Sequence, residues 1–167
     1  MLVRLGYVAM SLKLENCSPS KTITVGNYER IEGEENRRNR LRRITKENLQ
    51  NCARLLYYNA AHHIHLFRFT SKLVPLATHP LTAGWDYCED CKDEFAKIGA
   101  IAAENKMRVS SHPDHFTLIN SLKEGVFEAS LRDLEYHDRV FAAMGLDDAQ
   151  MIMHVGGLYG CGERIKL

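Results

Sequence analysis

The sequence predicts an α/β protein with a parallel sheet, made of about the first four βα units of a (β/α)8 barrel. Strand-like segments begin near residues 64, 107 and 150, and this constant step of 43 residues fits successive strand, loop and helix units. Each segment leads into a short phrase that contains a histidine, namely His79, His112 or His154. A closed barrel needs eight strands and about 250 residues. The chain is therefore expected to form one domain, residues 1–167, that is the N-terminal half of such a barrel.

Hydrophobic periodicity places the individual elements. Residues 2–8 predict the first strand, whereas residues 10–31 are polar and irregular. Apolar residues at helical spacing predict a helix over residues 34–61. The remaining predicted elements are strands at 64–69, 107–111 and 150–153 and helices at 86–105 and 122–144.

Composition gives a general class but no partner. The chain is 45% hydrophobic and 26% charged with a net charge of +1, which is ordinary for a globular protein and neither indicates nor excludes DNA. No apolar run is long enough to span a membrane, so we expect no membrane partner and a cytoplasmic location by default. The five cysteines are scattered and do not resemble a disulfide framework. Cys88 and Cys91 are interpreted as two reduced thiols on one helical turn.

The histidines at His79, His112 and His154 are predicted metal ligands. The carboxyl ends of parallel strands meet at one edge of a sheet, and imidazole is the commonest metal-binding side chain. Proline follows the first two and restricts the histidine before it to extended backbone. Three histidines could hold one zinc ion, whereas a cluster that acts on phosphate also needs carboxylates. The other candidates are assigned to helix ends, strand faces or helix surface: His62, His63, His65 and His137.

His115 and Phe116 follow the His112 phrase directly. An aromatic pair on a loop above a metal centre can stack on a base or wedge into a duplex. Packing of Phe116 on the core as a loop anchor is an equally weighted alternative, so the sequence leaves both interpretations open.

Several long phrases of the chain resemble one protein family. They are Leu5-Gly6-Tyr7, FRFTSKLVPLATHP (67–80), MRVSSHPDHFTLINS (107–121), YHDRVFAAMGL (136–146) and HVGGLYG (154–160). With them the chain resembles the ultraviolet damage endonucleases. The resemblance implies a TIM barrel of the xylose isomerase and endonuclease IV type. It also implies nicking of UV-damaged double-stranded DNA on the 5′ side of cyclobutane dimers and 6-4 photoproducts. The implied cofactor is a cluster of divalent metal ions, commonly Mn²⁺, with Mg²⁺, Co²⁺ and Zn²⁺ as alternatives.

The resemblance also implies roles for single residues. His79, His112 and His154 match three of the family's metal-binding histidines. The lesion-binding set that it implies is Tyr7, Ser11, His115 and Phe116, of which the last two match the pair that probes the lesion. The family's carboxylates, later histidines and modified lysine would lie beyond Leu167. No catalytic residue is therefore assigned.

Two other functions stay open at this point. One is a metal-dependent barrel enzyme of the sugar isomerase kind, and the other is a catalytically inactive, truncated remnant. The HPDHF segment (112–116) favours the endonuclease over the sugar enzyme, because an enzyme for a small molecule has no need of a bulky probe. Chain length favours the inactive remnant for the isolated polypeptide.

Overall fold

A four-stranded parallel sheet forms the centre of the molecule. The structure is a computed structural model that describes residues 3–153 and residue 156. Its strands pair in chain order and all in parallel, as predicted. They are shorter than predicted at both ends of the chain. Their bounds are β1 (Gly6–Val8), β2 (Leu66–Phe69), β3 (Arg108–Ser111) and β4 (Gln150–Met151).

The helices agree with the periodicity except in two places. They are α1 (Val25–Glu29), α2 (Glu34–Ala61), α3 (Tyr87–Asp90), α4 (Lys92–Glu104) and α5 (Glu124–Met144), with a short 3-10 helix at Pro80–Thr82. The segment predicted to be irregular contains α1, whose N-terminus is capped by Thr24. The helix predicted over 86–105 is broken at Cys91, where the backbone leaves helical geometry (φ −129°).

Alternation along the strands puts one face of the sheet against the helices. Phe67, Phe69 and Val109 lie on this face and are between 2% and 4% exposed. The Phe69 ring meets Phe67 at a centroid distance of 5.4 Å and Phe141 of α5 at 6.3 Å. Because side chains alternate along a strand, Arg68 and its neighbours on adjoining strands project from the opposite face.

The helix layer is closely packed and also has polar anchors. Gly99 of α4 lies so close to α5 that a Cβ there would be 1.7 Å from the Met144 carbonyl oxygen. Asn48 of α2 is fully buried, and its amide accepts from Lys21 N and donates to the carbonyls of Lys21 and Leu73. One side chain thus fixes two irregular segments to the longest helix.

The described residues can be compared with the predictions made from composition about membrane spans and cysteines. No helix in residues 3–153 combines the length and apolar character that crossing a membrane requires. Cys17, Cys52, Cys88 and Cys91 are free thiols. Cys91 is fully buried at the helix break, and burial raises its pKa to about 12. A thiol that stays protonated is a poor nucleophile and a poor metal ligand.

Candidate functional site

The candidate site is the edge of the sheet where the parallel strands end. Residues 9–11 follow β1, residues 70–79 follow β2 and residues 112–123 follow β3. The segments after β2 and β3 face each other across a cavity of about 280 Å³, whose lining includes Thr78, Asp114 and Asp133. Two of the three histidine-bearing phrases therefore flank one space at this edge.

His112 has the hydrogen-bonding state expected of a metal ligand. It follows β3 directly, and its Nδ1 lies 2.6 Å from the carbonyl oxygen of Pro113. A carbonyl can only accept, so Nδ1 carries a proton, and in the neutral ring Nε2 is then the nitrogen with the lone pair. Metal-binding histidines commonly donate their second ring N–H to a backbone carbonyl in this way. The donor chemistry of His112 therefore fits a divalent metal ion.

His79 is held differently. It caps the short 3-10 helix, and its Nδ1 accepts a hydrogen bond of 3.2 Å from Leu81 N. A neutral ring in this state carries its proton on Nε2, so binding a metal through Nε2 requires release of the Leu81 N–H. A groove of about 470 Å³ beside it is lined by Arg132, Glu135 and Arg139 of α5.

The third predicted ligand, His154, lies outside the described residues. Within residues 3–153 and residue 156, no three His, Cys, Asp or Glu side chains form a group that could hold a metal ion. The predicted metal site thus stays a prediction, with His112 as the ligand whose geometry fits best.

His115 and Phe116 stand out from the surface. Phe116 is 71% exposed and the His115 side chain 69% exposed. Their ring centroids are 3.8 Å apart at an interplanar angle of 42°, and His115 Nδ1 lies 3.3 Å from Asp114 Oδ1. Phe116 is therefore not the core-packed loop anchor that the sequence left open. An exposed aromatic pair at a strand-end loop is typical of a contact surface.

Two residues near the start of the chain, Tyr7 and Ser11, are predicted lesion contacts, but only Ser11 lies on the side of the candidate site. Ser11 lies just after β1 on the strand-end side, and its Oγ accepts from Lys13 N at 3.2 Å. Tyr7 lies within β1 and faces the helices. Its ring meets Phe67 edge-on at 5.3 Å, and its hydroxyl donates to Asn59 Oδ1 at 2.6 Å. The geometry gives Tyr7 the role of fastening β1 to α2.

Sequence reasoning missed the polar residues of α5 beneath the loop. Asp133 Oδ2 accepts from Asp114 N at 3.3 Å and from the Thr117 hydroxyl. Ser130 Oγ accepts from Leu118 N at 2.8 Å. The sequence feature that could have revealed them is the spacing of three residues between Ser130 and Asp133, which places both on one helix face.

His137 corrects one assignment. The sequence placed it on a strand face, helix end or helix surface, but it is 2% exposed, one turn beyond Asp133. Burial lowers its pKa, and among the described residues its Nε2 has no hydrogen-bond partner. By contrast, His62 and His65 hydrogen-bond to nearby backbone carbonyls through Nδ1, consistent with structural roles.

The fold and the edge together define a parallel α/β protein whose candidate site lies at the carboxyl ends of its strands. The model of the UV-endonuclease UvdE family matches residues 3–165, and the chain belongs to this family.

Known relatives agree with this assignment. The UV DNA damage endonuclease of Halalkalibacterium halodurans is 46% identical over 158 residues, which cover 94% of this chain and 49% of the relative. That of Bacillus cereus is 42% identical over 165 residues, covering 98% of this chain and 51% of the relative. The crystal structure of SacUVDE superposes with a TM-score of 0.81 at 28% identity, over 93% of this chain and 50% of that one. The chain spans about half the length of the curated relatives it matches.

Proposed function

We propose that this chain supplies the lesion-recognising half of a DNA-repair endonuclease that nicks DNA 5′ to UV photoproducts. The observation that carries the proposal is the match of nearly the whole chain to proteins named UV DNA damage endonuclease. The exposed pair at the end of β3 supports it independently, because a sugar isomerase-like enzyme has no use for such a projection.

In this proposal His115 and Phe116 enter damaged duplex. A distorted, poorly stacked site costs less to open than normal duplex, so an aromatic wedge gains most there. Stacking of a base on an aromatic ring contributes roughly 1–3 kcal/mol. Ser11 lies on the same side of the sheet and is proposed as a further contact to the DNA.

The proposed cofactor is a divalent metal cluster, with Mn²⁺ the first choice and Mg²⁺, Co²⁺ or Zn²⁺ as alternatives. When bound, such ions activate water and stabilise charge on the phosphate. His112 would be a ligand through Nε2, and His79 would become one by releasing Leu81 N–H. His154 completes the proposed set.

A chimera tests the function directly. Residues 3–165 of this chain would replace the matching half of the Halalkalibacterium halodurans relative. With Mn²⁺ the chimera should nick UV-irradiated supercoiled plasmid, spare unirradiated plasmid and stop on addition of chelator. His112→Ala should lower nicking by at least about 100-fold, since even outer-shell changes at metal sites cost 10–100-fold. His65→Ala is the matched control, because His65 bonds to the Asn105 carbonyl at the amino end of β2, opposite the candidate site. Equal nicking of both plasmids, or full activity of His112→Ala, would contradict the proposal.

The 167-residue chain alone should show little or no nicking in the same assay. The reason is that the chain spans about half the length of its curated relatives, so phosphate-activating ions would lack the ligands that the other half is expected to supply. Robust, chelator-sensitive nicking by this chain would refute the expectation.

A further inference from the structure

The loop that carries His115 and Phe116 is closed upon itself and then fastened to α5. Thr117 N donates to the Asp114 carbonyl at 2.9 Å, which makes residues 114–117 a tight turn with the exposed pair at its tip. Thr117 is 6% exposed, whereas Phe116 beside it is 71% exposed. The exposed pair therefore stands on a base that is buried.

Asp133 joins both ends of this turn. Its Oδ2 accepts from Asp114 N at 3.3 Å and from the hydroxyl of Thr117, so one carboxylate oxygen holds the residues on either side of the pair. The turn is thus fixed relative to the helix by one side chain.

Ser130 adds a second fastening one helical turn earlier. Its Oγ accepts from Leu118 N at 2.8 Å and donates to the Val126 carbonyl at 2.7 Å. Ser130 is only 1% exposed, so the hydrogen bond between its hydroxyl and Leu118 N is protected from competing water. The pair is therefore followed by a segment anchored to the same helix.

We propose that Asp133, supported by Ser130, is a positioning residue for lesion recognition. This inference rests on the proposed function. A probe that opens a duplex must project in one direction, and a turn already fixed in that direction binds without the cost of ordering it. Asp133 touches neither DNA nor metal in this role, and it acts through the orientation of His115 and Phe116.

Variants of the 167-residue chain separate the bonds from the charge. Asp133→Ala removes both bonds to the turn. Asp133→Asn keeps an acceptor oxygen that can serve both donors, and so should rescue the function. Thr117→Val removes one donor and leaves the carboxylate in place. Asp138→Ala is the matched control, because Asp138 is an exposed aspartate on the same helix.

Two readouts are needed. The first is amide hydrogen exchange, resolved by NMR, at Asp114 and Thr117, whose N–H groups hold the turn. The second is the ratio of dissociation constants for a plain duplex and a duplex with one cyclobutane dimer, from salt-matched anisotropy titrations. Asp133→Ala should speed exchange at both amides and lower the ratio about 3- to 10-fold, at roughly 1.4 kcal/mol per tenfold. Asp133→Asn and Asp138→Ala should stay within about twofold of wild type. Thr117→Val should fall between these limits, and urea unfolding checks that each variant is folded.

The outcomes separate this inference from the proposed function. If wild type prefers the dimer and folded Asp133→Ala keeps that preference, the positioning role is wrong. Unchanged exchange at Asp114 in Asp133→Ala would also overturn it, because the fastening would then lie elsewhere. If wild type does not prefer the duplex with the dimer, the proposed function is wrong, and so is the role of the loop in recognition. This holds even if the exchange data show that the hydrogen bonds to Asp133 are present.

Discussion

The two faces of the sheet differ sharply in how they are covered. On the helix side, Phe69 is 2% exposed and packs against α5. On the other side Val8 is 52% exposed, and Arg108 Nη2 donates to Gln150 Oε1 at 2.6 Å in an exposed pair. In β3 Arg108 is exposed whereas Val109 next to it is buried, so adjacent residues of one short strand lie at an open surface and in the core. Within the described residues, stability therefore comes from the helix side of the sheet, while the candidate site lies at the edge between the two faces.

The largest expected effect tests that division directly. Phe69→Ala should lower the free energy of unfolding by about 3–5 kcal/mol, since it leaves a cavity between Phe67 and Phe141. Val8→Ala on the open face should change it by less than about 1 kcal/mol. Urea unfolding followed by circular dichroism measures both. Similar losses of unfolding free energy for the two variants would show that the open face contributes as much to stability as the helix side.

A smaller effect is expected where the helices of the covered side meet. Gly99→Ala would put a methyl group 1.7 Å from the Met144 carbonyl oxygen, so α4 and α5 must move apart. We expect a loss of about 1–3 kcal/mol in unfolding free energy. Gly125→Ala is the control within α5, because nothing lies within 4 Å of the added Cβ. It should be neutral or stabilising by up to about 1 kcal/mol. A neutral Gly99→Ala in thermal unfolding would show that this contact is loose.

The smallest effect concerns a polar link on the helix side. Asp90 accepts two hydrogen bonds from Arg38 and one from Trp85 Nε1, and the Arg38 guanidinium lowers the pKa of its carboxyl. A lowered pKa stabilises the fold above the unfolded carboxyl value of about 4, and this contribution is lost as pH falls through the folded value. Asp90→Asn should therefore cost about 0.5–1 kcal/mol at pH 7, discounted because Arg38 is half exposed.

The pH dependence of that loss is the decisive measurement. The difference in unfolding free energy between wild type and Asp90→Asn should shrink as pH falls below about 4. Asp138→Asn, an exposed change in the interior of α5, should match wild type throughout. A difference that stays constant with pH would mean that packing, not the charge, carries the contribution.

The sequence predicted what depends on local periodicity. The bounds of α2 followed from apolar spacing, because that spacing states which side of a helix is buried. The parallel pairing of the strands followed from the constant step of 43 residues, which leaves room for a helix between successive strands. The break at Cys91 did not follow, because the apolar pattern runs through it. The break coincides with a contact of Asp90 to Arg38, which lies 52 residues away in the sequence, and with a local contact of Asp90 to Trp85. The five residues of α1 were too few to show a period.

The residues of the candidate site were predictable only where their chemical type and position after a strand indicated a function. The loop was visible because three strand-like segments each lead to a histidine, one of which is His112, and because His115 and Phe116 follow that histidine closely. Asp133 and Asn48 were not visible, since polar residues on an amphipathic helix look solvated until the tertiary contacts are known. Sequence alone could not locate the groups that hold the loop in place.

In the proposed function, a divalent metal ion binds at the carboxyl ends of the strands through His112. Mn²⁺ broadens NMR signals close to it, so a titration of the chimera with substoichiometric Mn²⁺, read at the histidine ring protons, tests this binding without any assay of activity. We predict that the His112 signals broaden first, and that those of His79 follow together with a shift of the Leu81 amide as it loses its ring acceptor. The ring of His62, stacked on Tyr58 at the end of α2, should stay sharp. Broadening at His62 before His112, or sharp His112 signals throughout, would contradict the account.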